Sequence, residues 1–197
     1  LLDYLARRLA GKPVAALAMF PQYRAVQEAA GAERIHPADL WSVDWRWREI
    51  ASDTSVPPRA LDAATRTAME GHLLGIMRTP QPTLAAARMS EGCAGLGAAA
   101  ADPQVATLWK LASAVFEAQA QGLLGFDVFS KRVASRLLAQ YRVLERGQNE
   151  VSERLAQDLL FFCAQADSPG DGRRAPRLAA VRQVYGLAHH VPVDYNA

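Results

Sequence analysis

Few residue types in this 197-residue chain could do chemistry. Arg88 and Glu91 head a run of small residues, Gly92, Cys93, Ala94, Gly95, Leu96 and Gly97. A guanidinium stays protonated and is a poor nucleophile, whereas a neutral imidazole nitrogen can attack an acyl phosphate. Glu91, one turn on, carries a negative charge, which repels an anionic phosphoryl group. Glycine inside a helix costs about 1 kcal/mol relative to alanine, so Gly92 and Gly95 mark close approach, by a partner or by a neighbouring helix.

His72 is the rival reactive group. It shares an apolar stripe with Met69 and Ile76, and Gly75 stands where a lysine would be wanted, which predicts a packed, hydrogen-bonded histidine. His36 opens a helical turn, and the adjacent His189 and His190 point apart on any regular backbone. Cys93 and Cys163 lie in apolar helical sequence with no basic partner at local spacing, a poor setting for a nucleophile. An enzyme built on His36, Asp39 and Cys93 would rest on residues that share no known spacing. Neither a metal cluster nor a glycine-rich phosphate loop follows from these residues, so no cofactor and no metal are expected. Trp41, Trp45 and Trp47 with Arg46 and Arg48 form the densest aromatic cluster. Such residues either anchor a partner or pin the amino-terminal segment to the main body. The candidate docking positions are Gly95, Trp45, Arg46 and Trp47.

The elements that must position these groups are helical. Alanine is abundant and period-2 runs of β-branched residues are missing, which predicts an all-α protein. Short helices are expected over about 1–11 and 21–30, and a brief turn at His36-Pro37-Ala38-Asp39-Leu40-Trp41. Pro57-Pro58 is the clearest boundary. Beyond it Leu61, Ala64, Thr65, Ala68, Met69, His72, Leu73 and Ile76 repeat at helical spacing until Pro80 and Pro82 end the run. A helix over about 82–100 carries Arg88 and Glu91. Asp102, Asp127 and Asn149 are expected to cap the next three helices, with Gly147 as a stop and Gln119 interrupting an apolar stripe. The helix over about 150–167 is apolar nearly all round and should pack on two sides. Residues 168–172 and Arg173-Arg174 read as a mobile, solvated loop, followed by a helix over about 176–187 and an extended tail. The resulting arrangement is an antiparallel four-helix bundle over 57–148, an amino-terminal helical extension over 1–56, and carboxy-terminal helices and tail over 149–197 packing on the bundle. No fixed-period repeat supports a solenoid.

Half the residues are hydrophobic, ample for a packed core. Lys and Arg total 22 against 20 Asp and Glu, which gives no general attraction to nucleic acid or anionic lipid. No apolar run approaches the roughly 20 residues that cross a bilayer, so no membrane insertion is expected. Two thiols suit a reducing cytoplasm. Protein partners are the class that remains. The chain opens Leu1-Leu2-Asp3 without Met, which reads as a piece of something longer.

The segment from Arg88 to Gly97 resembles the phosphoacceptor helix of histidine phosphotransfer (Hpt) domains, His-x-x-Lys-Gly followed by small residues and Leu-Gly. Arg88 stands at the histidine and Glu91 at the lysine, while Gly92, Ala94, Leu96 and Gly97 keep the spacing. Further stretches extend the likeness: Phe20-Pro21-Gln22-Tyr23-Arg24, the segment from Ala30 to Trp41, the Leu108-Trp109 helix ending in Gly122-Leu123, Leu178 to Arg182, and Pro192-Val193-Asp194-Tyr195. Together they resemble the amino-terminal region of the chemotaxis-like hybrid histidine kinases of the type IV pilus system, called ChpA or PilL, and the related scaffold protein FimL. The resemblance implies a cytoplasmic signalling module, held at the cell pole through its partners, in a two-component phosphorelay controlling twitching motility. It implies receiver domains of response regulators or polar scaffold proteins as partners, and no enzyme activity in this piece. The alternatives are an active phosphotransfer domain using His72 and a purely structural helical domain of a parent sensor kinase.

Overall fold

Short-range capping decides where the long helices begin. Asp62, Asp102 and Asp127 each accept a backbone N–H from the turn ahead of them, and so open α3 (Ala63–Arg78), α5 (Pro103–Ala120) and α6 (Val128–Glu145). The cap expected at Asn149 lies instead at Ser152, which opens α7 (Glu153–Gln165). The reason is Gln140. Its side chain donates to the Glu150 carbonyl at 2.7 Å and accepts from the Ser152 N–H at 2.9 Å, holding that connection extended until 153. Between these elements, α4 spans Thr83–Ala99. Helix α8 (Pro176–Tyr185) ends at Gly186, whose φ of 61° is the left-handed conformation that glycine accepts without strain. Earlier in the chain lie α1 (Leu2–Leu9) and α2 (Phe20–Ala29).

The computed structural model describes residues 1–169, 174–193 and 195, and among these every regular element is helical. The expected solvated loop lies partly outside the described residues, as do Arg173 and Asp194. The chain divides into two compact units, 1–44 with the tail from His190, and 45–189. These divisions differ from those expected at 56/57 and 148/149.

Within the larger unit, residues 45–62 form no helix and run as an extended strap. Leu61, expected on the α3 stripe, belongs to this strap because the Arg59 N–H donates to the Gly95 carbonyl at 2.9 Å and the helix starts only after Asp62. Of the remaining stripe, Met69, Leu73 and Ile76 are buried and Thr65, Ala68 and His72 half-buried, but Ala64, in the first turn of α3, is exposed. Side chains tie the strap down along its length. Thr107 donates to the Arg48 carbonyl, Lys110 to that of Ile50, and Tyr141 to that of Asp62.

Helix α5 is central. It packs against α4, α7 and α8, while α3 pairs with α4 and α6. Leu108, Leu111, Ala112 and Ala114 of α5 are fully buried, as are Leu160 and Phe161 of α7 and Leu178 and Val181 of α8. Helices α7 and α8 thus share one core with α5 and are not additions to a finished four-helix bundle. The two-sided packing expected of α7 follows from this, and its buried Asp158 pairs with Arg136 of α6 at 2.6 Å.

In the smaller unit, the capping expected of His36 is present. Its Nδ1 accepts the Ala38 N–H at 3.1 Å. Asp39 accepts from Tyr23 at 2.9 Å and pairs with Arg34. Burial alone would raise the Asp39 pKa, but the Arg34 hydrogen bond and charge, with Tyr23 and the His36 N–H, hold it below the usual carboxylate range. The Phe20 ring meets Tyr195 edge-on at 5.6 Å, and the Trp41 indole donates to the His190 carbonyl at 2.9 Å.

Candidate functional site

The α3–α4 hairpin is drawn tight by small residues. A Cβ on Gly75 would lie 2.9 Å from that of Ala85. Further from the turn, His72 of α3 comes within the electrostatic reach of Arg88 and Glu91 of α4 and of Arg59 from the strap. His72, the rival reactive group, therefore lies within the field of the Arg88–Glu91 pair. His72 is half-buried, and its pKa is lowered, first by desolvation, then by the charges of Arg88 and Arg59, with Glu91 opposing. Burial and the two guanidinium charges thus favour the neutral imidazole. Arg88 and Glu91 form an ion pair at 3.8 Å with side chains 60% and 46% exposed. An exposed pair of this kind contributes under about 1 kcal/mol, so both side chains are free to re-pair with a partner.

The glycines beside the pair differ in kind. A Cβ on Gly92 would meet nothing within 4 Å, so no neighbouring helix requires the glycine there. Gly95 is the opposite case. A Cβ there would lie 2.7 Å from Arg59 Cγ and 2.9 Å from the Pro57 carbonyl oxygen. The strap already covers Gly95, which removes it from the docking surface expected of it. Its smallness serves the chain's own packing, as does that of Gly97, whose Cβ would lie 3.0 Å from Lys110 Cγ.

Trp45 and Trp47 are half-buried and Arg46 is exposed. The Trp45 ring stacks on Tyr185 of α8 at 5.8 Å and meets Trp47 edge-on at 5.2 Å, and its indole donates to Glu153 at 2.6 Å. The Tyr185 hydroxyl donates to the Arg46 carbonyl and accepts the Arg48 N–H. Within the larger unit, then, these tryptophans fasten the start of the strap to α7 and α8.

Burial pushes the thiols of both Cys93 and Cys163 up to about 12, so neither forms a thiolate at neutral pH. Among the described residues, no group of three or more His, Cys, Asp or Glu is placed to hold a metal. Sequence reading missed a polar network around Arg177 of α8. Arg177 donates to Asp53 at 2.8 Å and to Ser90 at 2.7 Å, and Glu117, buried in α5, accepts the Leu178 N–H at 2.9 Å. The available signal was Lys110, Ser113 and Glu117, a polar line at helical spacing through an otherwise buried helix.

A family model described as FimL scaffold protein second domain matches residues 54–197. The chain belongs to this family. The FimL second-domain match begins within the strap and takes in all of α3 to α8, and with them the cluster of His72, Arg88, Glu91 and Arg59. It leaves Trp45, Arg46 and Trp47 outside. Searches of curated proteins and of solved structures found no match. The chain is accordingly a scaffold-family domain with an all-helical fold, and among its described residues no helix is long and apolar enough to cross a membrane.

Proposed function

We propose that this chain is a non-phosphorylatable Hpt-like docking module of a chemotaxis-like phosphorelay that controls type IV pili and twitching motility. The observation that carries the reading is the exposed Arg88–Glu91 pair on α4, one turn ahead of the buried Gly92, where an added methyl would meet nothing within 4 Å. A receiver domain or a polar scaffold protein would approach there, in the cytoplasm, and the module would perform no chemistry of its own. Membership of a scaffold family supports a protein-binding role. The test is to mix the chain with radiolabelled, phosphorylated receiver domains and with autophosphorylated kinase core. Specific binding without transfer of label is the expected result. Label on the chain, or no binding to any receiver domain or polar scaffold, would overturn it, the latter in favour of a structural domain of a larger protein.

One observation favours a second reading. His72 is half-buried, its pKa is lowered, and the charges of Arg88 and Arg59 act on it, which favours the neutral imidazole that accepts a phosphoryl group. In that reading His72→Gln abolishes labelling. In the first, His72→Gln leaves an unlabelled chain unlabelled and changes only docking or stability.

A further inference from the structure

Lys110 and Ser113 line a cleft of about 230 Å³ on the side of the molecule that holds Arg177. The strap segment 50–54, Ala94 of α4, and Pro176, Arg177 and Ala180 of α8 complete its lining. The cleft is below the roughly 300–1,000 Å³ of sites for drug-sized molecules, so its occupant is small.

Its two cations differ in how they are held. Arg177 is locked: its Nε donates to Asp53 and its Nη1 to Ser90, so its charge is matched and its position set by two side chains. Lys110 donates to the Ile50 carbonyl at 2.6 Å. Among the described residues no carboxylate forms an ion pair with Lys110, and the charge of Glu49 acts on it from further away. A neutral donor would serve a backbone carbonyl equally well without the desolvation cost of an ammonium. That cost is real here, since burial draws the Lys110 pKa down. The residues lining the cleft therefore carry one positive charge in surplus, which Glu49 offsets only from outside the lining, together with the hydroxyl-bearing Ser52, Thr54 and Ser113 and the apolar Ala94 and Ala180.

We propose that this cleft binds a small organic carboxylate, its anionic group seated between Lys110 and Arg177 and its apolar body against Ala94 and Ala180. A monoanion offsets the single surplus charge, and the alanines reward a carbon skeleton over a bare inorganic ion. The site lies apart from the His72–Arg88 cluster in its residues and does not depend on any phosphorelay role.

The test is heteronuclear NMR titration of the full chain with butyrate, with benzoate and with inorganic phosphate. Saturable shifts for a carboxylate, confined to residues 50–54, 94, 110, 113 and 177–180, are expected. Lys110→Gln keeps a donor for Ile50 and removes the charge, and should weaken binding at least tenfold. Ala180→Leu, on the partly exposed face of α8, fills the cleft without emptying the core and should do the same if Lys110→Gln fails to fold. No saturable binding by either carboxylate, binding of phosphate alone, or full affinity in a folded variant would overturn the proposal.

Discussion

Gly92 and Gly95 lie one turn apart on α4 and should respond to alanine with opposite signs. Alanine gains about 1 kcal/mol over glycine in a helix interior from propensity alone. At position 92 nothing lies within 4 Å of the new methyl, so Gly92→Ala should stabilise the fold by about 0.5–1 kcal/mol. At position 95 the methyl would sit 2.7 Å from Arg59 Cγ and 2.9 Å from the Pro57 carbonyl oxygen, and the second of these is backbone. The strap must then move, which costs about 1–3 kcal/mol in overpacking. It also strains the Arg59 N–H to Gly95 carbonyl bond, worth about 0.5–1.5 kcal/mol. Set against the propensity gain, Gly95→Ala should destabilise by about 1–3 kcal/mol. Urea unfolding followed by far-ultraviolet circular dichroism measures both variants against the parent chain. A Gly95→Ala protein as stable as Gly92→Ala would refute the claim that the strap seats on this glycine. Docking adds a second readout, because Gly92→Ala should weaken partner binding while it raises stability if a partner uses the open space.

Glu117 has a raised pKa, first through burial and then with Asp53 adding to it, against the Leu178 and Arg177 N–H groups and the Arg177 charge. A carboxyl that binds its proton more tightly folded than unfolded loses stability as pH rises from its ordinary value of 4.5 through the folded one. Glu117→Gln keeps an acceptor for Leu178, so its stability relative to the parent should rise over that interval; a flat difference across a pH series of melts would contradict this. Both thiols should be inert to a thiol-specific disulfide reagent in the native chain and both react in denaturant, as counted by absorbance. Arg136→Met should cost about 3 kcal/mol in the same urea assay, since it leaves the fully buried Asp158 without that partner.

Local chemistry was legible in the chain itself. The caps at His36, Asp102 and Asp127, the stripe of Met69, Leu73 and Ile76, and the stop at Gly147 depend on residues a few positions apart, and each stands where the pattern predicts. The helical class was legible for the same reason. Tertiary packing decided everything that joins distant segments. It set His72 within reach of the Arg88 charge, seated the strap on Gly95 while leaving room for a methyl at Gly92, and turned Trp45 onto Tyr185. It also set Arg177 against Asp53, 124 residues earlier, at the edge of a cleft that also holds Lys110. Hydrophobic periodicity says which face of a helix is buried but not which neighbour buries it. The strap from 45 to 62 shows why: it has no period to read, and its course is set by hydrogen bonds to helices that follow it in the chain.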